Sequence, residues 1–362
     1  MAVSSLAGLA ALAALAVSVA CASSGCGTVS DYARRAQGHL EIVAASKPVA
    51  DWLADAATEP RLRERLLLSQ RIRDFAVAEL REPDNAAYRR YAALGRGALL
   101  WNVVAAPELS LVPKTWCFAI VGCVAYHGHY ERARADAEAE ALRAAGWDVL
   151  VYPVAAYSTL GLLPFDRFAD PLLDTFVFQP EPDLARLVFH ELAHQIAFAA
   201  GDTEFNESYA TAVETLGARR WLATESSPEV RDADARRRAR RDDFRTLTAS
   251  VRAELAALYA SGVDDAAKRA GKAAALERLR REHALLKSGR WNGDAGYDAW
   301  IARADNAALA IQSSYTALVP AFERLFERDG GDFARFHAEA KRIAALPDAP
   351  ARRAALGVPL AP

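Results

Sequence analysis

What this chain has little of narrows it first. Its 44 basic and 46 acidic residues nearly cancel, leaving a net charge of −2 and a pI near 6.4. No global positive field exists to attract a phosphate backbone, so nucleic acid is not an expected partner. Four cysteines in 362 residues are too few for a disulfide-dense scaffold. No internal repeat recurs, which argues against a solenoid or a propeller. Apart from the first residues, no apolar run approaches the length of about 20 needed to span a bilayer. Histidine is scarce too, at seven.

What is present is alanine, leucine and a hydrophobic content of 52% with 25% charged residues, the composition of a helix-rich globular protein. The amino terminus differs. Leu6 to Cys21 carries no charge and is about sixteen residues of Ala, Leu and Val, followed by the small residues Ser-Ser-Gly-Cys-Gly. It reads as a signal peptide with a lipoprotein-type processing region over residues 1–26, against the alternative of a buried amino-terminal helix. Cys21 and Cys26 then belong to processing, and Cys117 and Cys123 remain as one pair six residues apart around Gly122. In an oxidising compartment such a pair can bridge; two ordinary buried thiols are the alternative.

Residues 27–345 read as one domain of α+β class, mostly helical, and 346–362 as a Pro-rich tail. Over 27–110 the pattern is helical: Leu62, Leu66, Ile72, Ala76 and Leu80 share a face after Pro60. Residues 111–182 carry a small sheet region, with TWCFAIVGCVAYHGHY, WDVLVYPV and DTFVF (Asp174 to Phe178) as strands and a helix over Ala133 to Ala145 stopped by Gly146. Residues 183–222 form a helix pair, and 223–345 are helical again. RDADARRRARRDDFR is a solvated helix surface, its acidic residues interrupting any basic patch for anionic lipid.

The helix pair holds the chemistry. LVFHELAHQIAFAAGDTEFNESYATAVE places two of the seven histidines four apart. With Asp183 as N-cap and Gly201 as stop, a helix of about seventeen residues is expected. His190 and His194 point from one face, one turn apart, as two imidazoles sharing a metal ion must. Glu191 is rotated away by about 100° per residue, out of reach of the ion but within reach of water beside it. The pattern H-E-x-x-H thus supplies two ligands and a general base. A third ligand is needed, and Glu207 and Glu214, seven apart on a second helix over about Phe205 to Trp221, both qualify on length; Glu204 falls in the turn. Two core histidines with ordinary hydrogen bonds are the rival explanation.

NESYATAVE is similar to the N-E-x-x-A…E element that follows H-E-x-x-H in gluzincin metallopeptidases. That resemblance makes Glu207, preceded by Asn206, the third zinc ligand, and Glu214 the carboxylate that supports a ligating imidazole. More of the chain resembles the bacterial putative aminopeptidase family of predicted lipoproteins. The likeness rests on GCGTVSDYARRAQGHLEIV, RIRDFAVAEL, WNVVAAPELSL, WCFAIVGCVAYHGHY, AYSTLG, FHELAHQ and GDTEFNESYATAVE, in order from Gly25 to Glu214. It implies one Zn²⁺ per chain, peptide hydrolysis with Glu191 as general base, and lipidation at Cys26. Anchored by lipid to a membrane, with Gly27 after the cysteine favouring the outer one, the domain would face the periplasm, where Cys117 and Cys123 would be joined. The single methionine is at position 1, so the G-A-M-E-N sequence that holds a free amine in related aminopeptidases is absent. Exopeptidase and endopeptidase therefore both stay open, beside a zinc hydrolase of other substrate and a non-catalytic zinc-stabilised envelope protein. For the oxyanion, Tyr157 is the first candidate, with His127, His129 and Tyr315 behind it.

Overall fold

A computed structural model describes residues 37–118, 122–156, 158–161, 165–314 and 317–358. Cys21, Cys26, Tyr157 and Tyr315 fall outside them. The chain is mostly helical with small sheets, an α+β arrangement. In order it runs α1 (37–45), β1 (Lys47–Pro48), α2 (Val49–Ala54), α3 (Pro60–Ala78), β2 (Arg90–Ala92) and β3 (Leu100–Pro107). Then follow β4 (Trp116–Phe118), β5 (Gly122–Val124), β6 (His127–His129), α4 (Arg132–Ala144), β7 (Trp147–Val154) and β8 (Leu172–Leu173). Helices complete it: α5 (Glu181–Ala193), α6 (Thr203–Thr224), α7 (Pro228–Ala260), α8 (Asp265–Ser288), α9 (Asp298–Ala302), α10 (Asn306–Ser314), α11 (Val319–Arg328), α12 (Phe333–Ala344) and α13 (Ala349–Ala355).

The central sheet has the order β6-β3-β7, antiparallel throughout. Its middle strand β3 lies in the segment expected to be helical. The reason is burial on both faces. Val103 and Ala105 pack with Ala135 and Ala139 of α4, while Val104 and Ala106 pack with Ala307, Ala308 and Ile311 of α10. A strand covered on both sides has no polar alternation, so WNVVAAP gives none of the period-two signal that marks a half-buried strand.

The expected strand at Asp174 to Phe178 is not one. Strand β8 stops at Leu173, and the following residues form tight turns, with Phe176 and Val177 N–H groups both donating to the Leu173 carbonyl. Asp174 fixes this turn by accepting from the backbone N–H groups of Leu94 (3.0 Å) and Gly95 (2.8 Å). A carboxylate that caps a neighbouring loop outweighs the β propensity of the apolar residues after it.

The β4–β5 hairpin stands apart from the other sheets, and Cys117 and Cys123, Cα partners across it, are joined by a disulfide. Gly122, at φ +75°, lets this hairpin rest on the turn between α5 and α6: a Cβ there would lie 2.6 Å from the Gly201 nitrogen. At the carboxy end, α13 forms inside the segment read as a tail. Its Arg352 is buried against Asp202, Nε to Oδ2 at 2.8 Å, at the start of α6. No helix among the described residues is long and apolar enough to cross a membrane.

Candidate metal centre

Helices α5 and α6 pack side by side as an antiparallel pair. Gly217 permits the approach, since a Cβ there would meet Phe189 Cδ2 at 2.9 Å and Leu80 Cδ1 at 2.6 Å. Helix α5 begins at Glu181 after Pro180, so Asp183 is a first-turn residue rather than the N-cap. The Asp183 carboxylate instead pairs with Arg186 (3.1 Å), and Arg186 makes a two-pronged bond to the fully buried Asp234 of α7 at 2.8 and 2.7 Å. The helix also ends earlier than Gly201. His194 is its C-cap, and the chain tightens through Gln195 N–H to Leu192 O and Ile196 N–H to Ala193 O. Asp202 caps α6 by accepting from the Phe205 N–H at 3.1 Å.

This pairing brings His190, His194 and Glu207 together, with one ligand atom of each within 4.8 Å of the others. His190 Nε2 lies 3.3 Å from Glu207 Oε2, and His194 Nε2 lies 3.9 Å from it. Bonds of about 2.0–2.1 Å at tetrahedral angles predict ligand–ligand edges of about 3.3 Å. The Nε2 atom of each imidazole faces the carboxylate, and His194 Nδ1 is buried with no protein partner. Two imidazole nitrogens and a carboxylate oxygen at these separations suit a borderline divalent ion such as zinc.

Glu214 sits behind the group. Its Oε2 accepts from His190 Nδ1 at 2.9 Å, which presents Nε2 toward Glu207. Asn206 acts through the backbone: its Oδ1 accepts from the Ala199 N–H (2.7 Å) and its Nδ2 donates to the Ala199 carbonyl (2.9 Å). It clamps the turn that sets α6 against α5. Glu204 lies outward, paired with Arg353 at 3.3 Å.

Charge is tightly coupled here. Burial lifts the Glu191 carboxyl to about 8, with Glu207, Asp170 and Glu214 adding repulsion and His190 opposing. Burial also pushes His194 down to about 4. Burial opposes charge on His190 as well, but Glu207 and Glu214 outweigh it and hold that imidazole well above the usual histidine range. Burial raises Glu207 less than His190 and His194 lower it, so its carboxylate form is favoured. A divalent cation at this point would displace the proton shared by His190 and Glu207 and favour ionised Glu191.

The centre opens into a cavity of about 650 Å³. Helix α5 supplies Leu187, His190, Glu191 and His194; the end of the central sheet supplies Leu100, Asn102, Tyr152 and Val154; the disulfide hairpin supplies Phe118 and Val124. Asp170 steadies a further wall, accepting from both the backbone N–H (2.9 Å) and hydroxyl (3.1 Å) of Thr159. Burial raises the Asp170 carboxyl to about 6 against these bonds.

Of the oxyanion candidates, Tyr157 and Tyr315 lie outside the described residues. His127 and His129 do not line the cavity; Gly128 between them does, because side chains alternate along β6. Both imidazoles bind Glu138 of α4, His127 Nδ1 at 2.7 Å and His129 Nε2 at 2.6 Å from Oε2, while Trp116 Nε1 donates to Oε1 at 3.1 Å. This second His₂Glu group escaped the sequence reading, although H-x-H on a strand was a visible signal. Its separations are those of charge-assisted hydrogen bonds, shorter than a metal edge. Burial raises the Glu138 carboxyl, but the two imidazoles outweigh it and hold it at about 2.

The arrangement defines a class: a helix pair presenting two imidazoles and a carboxylate to an open cleft, with a further glutamate beside them. The chain belongs to the putative aminopeptidase family, whose model matches residues 31–356. No curated protein and no solved structure matches it.

Proposed function

We propose that this protein is a zinc-dependent peptidase, with His190, His194 and Glu207 as metal ligands and Glu191 as general base. The observation that carries this reading is the 3.3 Å separation of His190 Nε2 and Glu207 Oε2 inside a cleft also lined by Glu191. Membership of a family described as aminopeptidases supports peptides as substrates. A bound zinc ion would supply a Lewis acid that lowers the pKa of water at its open position and polarises the scissile carbonyl.

The chain's own groups do the rest. Glu191 takes a proton from the attacking water as its oxygen bonds to the carbonyl carbon, and delivers a proton to the amine nitrogen as the C–N bond breaks. Glu214 keeps the His190 ring oriented throughout. Hairpin β4–β5 and the sheet end wall part of the cleft with apolar side chains, which lowers the local dielectric and strengthens the electrostatic contacts there. The test is Glu191→Gln. Metal content should stay near one zinc per chain while peptide hydrolysis falls at least about a hundredfold; unchanged hydrolysis would refute the role, and a protein inert in both forms would favour a non-catalytic zinc-stabilised one.

On sequence grounds we also propose that Cys26 carries lipid, anchoring the domain to the outer membrane and facing the periplasm. The exposed Cys117–Cys123 bond supports an oxidising compartment.

A further inference from the structure

The cleft's charges are concentrated at one point. Among the described residues that line it, Glu191 and Glu207 are the only carboxylates, and no lysine or arginine is present. Both acids are committed to the metal centre. The positions left undescribed between 119 and 316 add no acid either: they are Ala, Ile, Val, Tyr, Leu, Pro and Thr. The rest of the wall is apolar or neutral, and the Asn102 amide nitrogen donates to the Tyr152 hydroxyl at 3.1 Å while its uncharged Oδ1 has no hydrogen-bond partner among the described residues.

An enzyme that requires a free amino terminus must hold an ammonium group in a partly desolvated site. Leaving that charge unpaired costs several kcal/mol, so a carboxylate is the expected partner. Here every carboxylate among the described residues that line the cleft is assigned as ligand or base. We propose that the cleft reads its substrate through apolar surface rather than through a terminal amine. It takes uncharged, apolar stretches of peptide, internal or amino-blocked as readily as free-ended. This rests on the peptidase reading above and names the substrate class of the same site. Leu100, on the sheet wall and paired in register with Val154, is a specificity-determining position.

The test uses two internally quenched peptides identical except for an acetylated or free amino terminus, with leucine or phenylalanine flanking the scissile bond. The zinc-loaded protein should cleave the acetylated form within about tenfold of the free one, or faster, and lysine or aspartate at those flanking positions should lower kcat/KM at least about tenfold. A preference of about a hundredfold for the free amine overturns the proposal. Leu100→Glu places an acid in the wall and should shift the ratio toward the free amine by about tenfold; an unchanged ratio in a folded, metal-loaded variant overturns it. If Leu100→Glu does not fold, the wild-type comparison decides. If the wild type cleaves neither peptide, equilibrium binding of the same pair decides separately. Comparable binding of both sustains the apolar cleft while the peptidase reading fails, whereas binding of the free form alone, or of neither, overturns it.

Discussion

Removing Glu214 and removing Glu207 should have different consequences, and the difference is calculable. Glu214 contributes one charge-assisted hydrogen bond, 2.9 Å long, to His190 Nδ1. Losing such a support costs about 10–100-fold in metal affinity, or about 1.4–2.7 kcal/mol. Glu207, 3.3 Å from His190 Nε2, would contribute a ligand oxygen under the proposed assignment. Dividing the roughly 10–16 kcal/mol of a four-ligand zinc site equally gives about 2.5–4 kcal/mol per ligand, about 70- to 900-fold in affinity. Competition against a chelating zinc indicator at fixed pH measures both variants. Glu207→Ala should lose the larger amount, Glu214→Ala the smaller, and Glu214→Gln, which keeps an acceptor oxygen, less still. Equal losses, or an empty Glu214→Ala beside a loaded Glu207→Ala, would refute the assignment of ligand and support.

Asp234→Ala removes the two-pronged partner of Arg186, which is only 14% exposed, and leaves it Asp183 alone at 3.1 Å, so it should cost about 2 kcal/mol in a urea titration; a change below about 0.5 kcal/mol would mean that Asp183 or water replaces the lost bonds. Asp170, raised from the usual 3.8 to about 6, binds a proton more readily folded than unfolded, so its stabilising contribution is complete below about pH 4 and lost as pH rises through 6. That difference amounts to roughly 3 kcal/mol, and Asp170→Asn should flatten stability over this window; an unaltered pH profile counts against it. Cys117→Ser should cost the hairpin about 2–3 kcal/mol, seen as faster amide exchange over residues 116–124, since an isolated two-stranded ribbon is marginal without its crosslink. Mass spectrometry of the native protein should find an acylated amino-terminal Cys26; an unprocessed terminus would end that proposal.

The local chemistry was legible in the sequence because an α-helix has a fixed period. His190 and His194, four apart, must share a face, and Glu191 must leave it, whatever the rest of the chain does. Glu207 and Glu214 could be placed on one helix for the same reason, but length alone did not separate ligand from support. Packing separates their positions: α6 meets α5 at a height that puts Glu207 against both Nε2 atoms and Glu214 against the far nitrogen of His190. Other features were invisible locally because their causes are distant in sequence. Strand β3 looks unpatterned because α4 and α10 cover its two faces. His127 and His129 face away from the cleft because pairing with β3 fixes the register of β6, and Glu138 on α4 binds both imidazoles there. Arg352 is buried because Asp202, 150 residues earlier, offers it a carboxylate. Periodicity is a property of one segment and survives translation into sequence; burial, charge pairing and the shape of a cleft belong to segments brought together, and only the tertiary structure supplies them.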